Sequence, residues 1–449
     1  MNLAALLCAR ASSPVRVALI GAGKFAAMFL SQARRTPGMH VAAIADLSPG
    51  RARANARATG WPDAALDARD IAQAMRDGST WLTEDALAAL SAPGIEVVIE
   101  ATGDPVAGTR HALAAIAMGK HIVMVNVETD VLVGPMLARR AASAGVVYSL
   151  AYGDQPALIC EQVDWARASG FEVVAAGKGT KHRPEFHAST PDTVWGFYGL
   201  TAERAAASGM NPKMFNSFLD GTKSGIEMAA VANATGLLPA PGGLRFPPVG
   251  VYDLAENLRP REGGGMLAFK GQVEVVSSVG PGGAVVADNL RWGTYVVFEA
   301  SSEYVRRCFA DYGLKTDSSG RYAALWRPYH LIGLELGVSV ASVALRREAT
   351  GAATGFRADV VAVAKRDLKA GEVLDGEGGY CVWGRLMAAA ESLSAGALPI
   401  GLAHGRLARA IGAGEIVGRA DVTLDSTTQA YRLRAEMERE LAPALHAAE

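Results

Sequence analysis

Short apolar runs alternate with stretches of helical period along the first third of the chain. Residues 17–20 form a β-branched apolar run that leads into Gly21-Ala-Gly23-Lys-Phe-Ala26 and then a helical pattern. Apolar runs recur at 41–45, 95–99 and 122–125, and helical patterns fill 49–60, 68–75, 84–90 and 106–118. Strands joined by helical crossovers predict an α/β fold with a doubly wound parallel sheet over residues 1–150.

The pattern changes after that. A helix at 157–167 and a strand at 172–176 are followed by a polar loop at 177–184 and strand-like runs at 271–279 and 294–300. They predict an α+β domain over 151–356 with a mixed or antiparallel sheet, whose last helical residues, about 341–347, pack back on the first domain. Short strands separated by Ala-Gly-Glu turns predict a small β-rich module over 357–425. A charged helical tail occupies 426–449.

Chemistry is most readable at the first turn. Gly21-x-Gly23-x-x-Ala26, between a strand and a helix, has the form of a dinucleotide-binding turn. Gly21 permits the tight turn, Gly23 admits a pyrophosphate to the backbone, and Ala26 lets helix and strand pack closely. Lys24 and Phe25 lie in the helix's first turn, whose N–H groups would hold the pyrophosphate. Asp46 closes the next strand, where a carboxylate accepts ribose hydroxyls and favours NAD. Arg51 and Arg53 follow and would favour NADP, so the sequence leaves the two cofactors open. Thr102, Gly103, Asn126 and Glu128 close later strands on the same carboxyl edge and complete the expected cofactor site.

The second polar concentration is 210–236. Asn211-Pro212 reads as an N-cap and first helical residue, and Gly236 as the residue that ends the helix. Between them Lys213, Asn216, Asp220, Lys223 and Glu227 step by three and four and so share one helical face. A solvated face of paired charges accounts for such a row equally well. The short amides Asn211, Asn216 and Asn233 instead suit hydroxyl or phosphate recognition. In the functional reading Lys223 polarises a carbonyl, Asp220 or Glu227 handles a proton or metal, and Lys213 and the amides position substrate. Lys178 and Lys181, beside His182 and Arg183, would bind an anionic group. Asp154 and Glu227 are the candidate ligands of a divalent cation such as Mn or Mg.

Composition narrows the partners. Half of the 449 residues are hydrophobic and the net charge is −1, so nothing draws the whole chain to nucleic acid or an anionic membrane. The four cysteines are scattered, which fits neither a zinc site nor a disulfide framework. No run reaches the roughly 18 apolar residues of a membrane span. The expectation is a cytoplasmic homo-oligomer acting on a small anionic molecule.

Several stretches resemble known families. GAGKFA, EATGDP and GKHIVMVNVETD resemble the homoserine dehydrogenase type of Rossmann domain. YGDQP, AAGKGTK, STPDTVW and MNPKMFNSFLDGTKS resemble the proteins called 1-deoxy-D-xylulose 5-phosphate reductoisomerase-like (DXR-like), many of them catalogued as homoserine dehydrogenase-like oxidoreductases. The stretch from VAVAKRDLKAGEVLDGEGG to AIGAGEIV is similar to a SAF domain, and the whole resemblance covers 15–425. It implies NADPH, a divalent metal chelated by substrate oxygens, a skeletal rearrangement, and hydride reduction of an aldehyde. Homoserine dehydrogenases carry an aspartate and a lysine one turn apart at the reacting hydroxyl. Asp220 and Lys223 resemble that pair at a spacing of three rather than four, and Asp46 departs from a strict NADPH enzyme. A homoserine or sugar-acid dehydrogenase without isomerisation and a non-catalytic NAD(P)-sensing protein are the alternatives.

Overall fold

The computed structural model describes residues 2–207 and 209–446, with side chains through Leu441. The last three positions of the expected tail lie outside the described residues. The chain divides into two compact units, 1–158 with 330–354, and 159–329 with 355–449.

The first unit is built on six parallel strands, β1 (Val15–Ile20), β2 (Met39–Ala45), β3 (Trp81–Thr83), β4 (Val97–Glu100), β5 (His121–Met124) and β6 (Tyr148–Leu150). Their order, β3-β2-β1-β4-β5-β6, is that of a doubly wound nucleotide-binding sheet. Strands β1, β2, β4 and β5 are almost wholly buried, which is why they read as continuous apolar runs rather than alternating ones. Side-chain caps start the crossover helices. Ser48, Asp104 and Asn126 accept the N–H groups of Arg51, Ala107 and Thr129, and Pro105 occupies the first helical position after Asp104. Leu336, Val340 and Val343 join Phe29, Leu30 and Val17 in one core cluster, so 330–354 belongs to this unit. The Ser339 hydroxyl accepts the N–H of Tyr152 at 2.8 Å.

The second unit carries a five-stranded mixed sheet. Its strands β7 (Glu172–Thr180), β8 (Leu238–Pro239), β9 (Gln272–Ser277), β10 (Thr294–Glu299) and β11 (Tyr322–Arg327) run in the order β11-β10-β7-β9-β8. β10 pairs antiparallel with β11 and β7, whereas β7, β9 and β8 are parallel. Residues 358–423 add two antiparallel pairs, β12 (Ala358–Ala364) with β13 (Val382–Ala388) and β14 (Arg406–Leu407) with β15 (Val422–Thr423).

The helix Gln429–His446 is tied to β12 by a buried ion pair. The Arg434 guanidinium is fully buried, grips both carboxylate oxygens of Asp359 and also bonds Glu438. Asp359 accepts the Ser392 hydroxyl as well, at 2.8 Å. Removing one partner of such a pair strands the other charge in the core. Arg434→Ala is therefore expected to cost about 3–5 kcal/mol in denaturant unfolding; unfolding free energy within ~0.5 kcal/mol of wild type would contradict this role.

Candidate functional site

The glycine turn of the first unit is built for a close ligand. Gly21 has φ +92°, and a Cβ there would stand 2.7 Å from the Ala101 carbonyl oxygen, so only glycine fits. Gly23 precedes the helix Lys24–Ala33 and gives it no side-chain cap. Gly23 is exposed, with no heavy atom among the described residues within 4 Å of where its Cβ would lie. The first-turn N–H groups have only solvent or an anion to meet there. Lys24 is exposed, Phe25 half-buried, and Ala26 buried against the sheet.

Asp46 fastens this turn. One carboxylate oxygen accepts the Ala22 N–H at 2.9 Å; the other accepts the Ser48 N–H at 2.9 Å and the Arg51 guanidinium at 2.6 Å. Asp46 is nearly buried, while the Arg51 side chain is 59% exposed. Arg53 instead pairs with Asp67. Asn126 donates to the Asp104 carbonyl at 2.9 Å and to the Thr102 hydroxyl at 3.3 Å, which locks the loop holding the exposed Thr102 and Gly103 to the start of the helix Val127–Ser143. Glu128, half-exposed, lies in that helix's first turn. The sequence reading missed Glu100. It is fully buried at the end of β4, accepts the Thr102 hydroxyl at 2.6 Å and lies 3.2 Å from His111.

In the second unit the expected single helix from Asn211 to Gly236 is two helices, Pro212–Leu219 and Thr222–Thr235. The chain breaks at Gly221, with φ +90°. Asp220 sits at the break, and its carboxylate accepts the Thr222 N–H at 2.9 Å. A Cβ on Gly221 would stand 3.3–3.5 Å from His187, Phe246 and His182. His187 donates to the Asp220 carbonyl at 2.7 Å and stacks on Trp383, with ring centroids 3.9 Å apart. Burial pushes His182 down to about 3 and lowers His187, so both are neutral around pH 7. The shared face from Lys213 to Glu227 is thus interrupted by a left-handed residue, which sequence periodicity treats as a mere weak point.

The polar row meets residues 357–384. Lys365, just past β12, places its ammonium 2.7 Å from Asp220 and donates to the carbonyls of Ser189 at 2.7 Å and Gly379 at 2.8 Å. Both charged side chains are 2% exposed or less. The Gly384 N–H donates to the Thr222 hydroxyl at 2.8 Å. Asn216 bonds Ser189 and the Gly378 carbonyl, Lys213 donates to the Asp375 carbonyl at 2.6 Å, and Ser217 donates to Glu377. Asn233 accepts the N–H groups of Arg357 and Ala358 at 2.7 and 2.9 Å.

These contacts correct several expectations. Asn216 and Asn233 are fully buried and engaged within the protein, Asn216 with Ser189 and the Gly378 carbonyl and Asn233 with the backbone of Arg357 and Ala358. Lys178 is ion-paired with Glu227 in the interior, which removes it from the anion-binding loop and occupies the carboxylate expected to hold a metal. Asp154 lies in the other unit, where it accepts the Gln155 N–H. Among the described residues no three His, Cys, Asp or Glu side chains gather as a metal-binding group. Asn211 is exposed and caps its helix, accepting from Lys213 and Met214. Asp220 is fully buried, and burial raises its pKa against the opposing pull of Lys365. Lys223, the second residue of the second helix, stays half-exposed.

Lys181 lies elsewhere, at a cavity of about 310 Å³ beyond the ends of the parallel strands β7 and β9. Ser278, Asn289, Arg291 and Trp292 line it too. Lys181 donates to the Phe197 carbonyl at 2.7 Å; burial, then the nearby Arg291 and Arg183, lower its pKa.

Residues 15–126 match a family model described as "Oxidoreductase family, NAD-binding Rossmann fold", and residues 153–336 match "Oxidoreductase DRL, catalytic domain". No curated protein matches the chain. A solved structure described as an oxidoreductase from Magnetospirillum magnetotacticum MS-1 is 19% identical, with a TM-score of 0.35, covering 64% of this chain and 75% of that one. Myo-inositol dehydrogenase from Lactobacillus casei, in complex with NAD(H) and myo-inositol, is 16% identical, with a TM-score of 0.29, over 40% of this chain and 50% of that one. Biliverdin reductase from Synechocystis sp. PCC 6803, in complex with biliverdin and NADP+, is 18% identical, with a TM-score of 0.25, over 38% and 48%. The chain spans about half the length of the last two.

The Asp220–Lys365 pair yields a test. Lys365→Met should cost about 3–5 kcal/mol because it leaves a buried carboxylate unpaired. The double variant Asp220→Asn/Lys365→Met should recover much of that loss in a double-mutant cycle of unfolding free energies. Strictly additive losses would show that the two groups do not act as a pair.

Proposed function

We propose that the chain is an oxidoreductase that passes a hydride between a nicotinamide cofactor and a small anionic hydroxy-carbonyl compound of the sugar-phosphate kind, a reading supported by the matches of 15–126 to an NAD-binding Rossmann model and of 153–336 to an oxidoreductase catalytic-domain model. The observation that carries the reading is the open Gly23 turn, braced by Asp46 and lacking any side-chain cap. The bound dinucleotide supplies the hydride chemistry. The protein holds its pyrophosphate at 23–26 and its adenosine ribose at Asp46.

On the catalytic side Lys223 is the group we assign to the reacting oxygen. It follows directly on the turn at Gly221 and is half-exposed. A lysine there stabilises the charge that develops on a carbonyl oxygen as hydride arrives. Asp220 is a positioning residue in this scheme, since it fixes the turn through Thr222 and Lys365. Because Lys178 closes off Glu227, we prefer a dehydrogenase over a metal-assisted, DXR-like rearrangement, and the homoserine and sugar-acid dehydrogenase readings stay within that class. Residues 357–425, similar in sequence to a SAF domain, serve in this proposal to hold the turn.

Asp46 and Arg51 set the nucleotide preference. The carboxylate favours the free ribose hydroxyls of NAD, and it holds Arg51 where a 2′-phosphate would otherwise be met. Asp46→Asn is expected to raise the NADPH:NADH ratio of kcat/KM by about tenfold or more. An unchanged ratio would remove Asp46 from cofactor selection.

Lys223→Ala should lower turnover by about 10²-fold or more, in a screen of small aldoses, ketose phosphates and hydroxy acids, with NAD(P)H affinity nearly unchanged. Wild-type turnover in that variant would overturn the assignment. Cofactor binding without turnover on any compound by the unaltered protein would favour a sensing role.

A further inference from the structure

The cavity beside Lys181 carries more positive charge than the protein neutralises. Lys181 and Arg291 both line it, and among the described residues neither has a carboxylate within ion-pair distance. Arg183, the third cation nearby, is paired with Glu185 and lies against Gly283 on the cavity wall. Among the described residues the Lys181 ammonium donates to the Phe197 carbonyl and lies 5.8 Å from the Tyr198 ring, and the Arg291 guanidinium rests on the Trp292 ring at 4.7 Å. Two cations held together in a partly desolvated cavity raise each other's cost, and a dianion between them relieves it.

The neutral lining points the same way. Ser278 is 4% exposed and lines the cavity. A hydroxyl on that wall can donate a hydrogen bond to a ligand oxygen. Asn289 accepts the Arg291 N–H and donates to the Val286 carbonyl, which fixes the loop bearing the arginine. The position is also the expected one, because Lys181 and Ser278 follow the carboxyl ends of two adjacent parallel strands.

We propose that this cavity is a phosphate site, with Lys181 and Arg291 supplying charge, Ser278 a hydrogen bond, and Trp292 the wall for the group that bears the phosphate. A carboxylate would neutralise only one of the two cations, whereas a phosphate dianion matches both and offers oxygens in several directions. The volume of about 310 Å³ accommodates a small phosphate monoester and not a dinucleotide. The proposal rests on the reading that the substrate is anionic, and it names the anionic group.

Calorimetric titration of the full-length protein with inorganic phosphate and, separately, with glycerol 3-phosphate tests it without any assay of turnover. Saturable binding is expected. It should weaken at least about tenfold in Arg291→Gln and in Lys181→Met, survive in Lys181→Arg, and leave NADH affinity unaltered. Tighter binding of the ester than of free phosphate identifies an organic phosphate as the ligand, whereas binding of free phosphate alone identifies the ion itself. No binding of either probe, or binding unaltered in both charge-removing variants whose far-UV spectra and unfolding midpoints match wild type, overturns the site. Because the readout is binding, failure here with turnover intact refutes the phosphate site alone. Phosphate binding without turnover on any compound refutes the oxidoreductase assignment alone.

Discussion

The second unit turns on one buried ion pair. Bringing the Asp220 carboxylate and the Lys365 ammonium out of water costs several kcal/mol for each ion, and their mutual attraction offsets this only when the remaining hydrogen bonds are made. Here the Thr222 N–H donates to one carboxylate oxygen, and the Ser189 and Gly379 carbonyls accept from the ammonium. The pair fixes a turn that also needs a left-handed glycine, Gly221, closed in by His182, His187 and Phe246. Lys223 follows on the first turn of the next helix, so the position of the proposed carbonyl-polarising ammonium depends on a residue contributed from well beyond the catalytic stretch.

That dependence redefines residues 357–425. A small β-rich segment read by itself looks like an appended module. Its strands β12 and β13 instead receive the helix Thr222–Thr235, with the Gly384 N–H bonded to Thr222 and the backbone of Arg357 and Ala358 bonded to Asn233. Gly384 has the Thr222 methyl 2.8 Å from where its Cβ would be, so the absence of a side chain there is part of the fit. Arg434 then ties the final helix to the same strand through Asp359.

The first unit was legible because its chemistry is local. Gly21, Gly23 and Asp46 act within one βαβ unit, the apolar runs mark doubly buried strands, and the caps stand beside the helices they start. The polar row from Lys213 to Asn233 was only half legible. The short amides Asn216 and Asn233 are buried rather than solvated, and their partners include backbone groups about 120–160 residues away in sequence, beyond any helical periodicity. The break at Gly221 escaped for a related reason, since a glycine inside a helical pattern does not reveal its φ. Lys178 and Glu227 looked like separate functional residues because nothing local shows that β7 carries one to the other. Lys181, one strand end further on, stands out in the sequence within a run of basic residues, whereas Arg291 and Ser278 enter its cavity from other strands' loops.

The central claim is that residues 357–388 and the helix bearing Lys223 form one cooperative structure. Native-state hydrogen exchange on the full-length protein tests it most directly. The account predicts that amides of Thr222–Thr235, β12 and β13 open with a single shared free energy. Exchange from β12 and β13 at a markedly lower free energy, with the helix still protected, would contradict it.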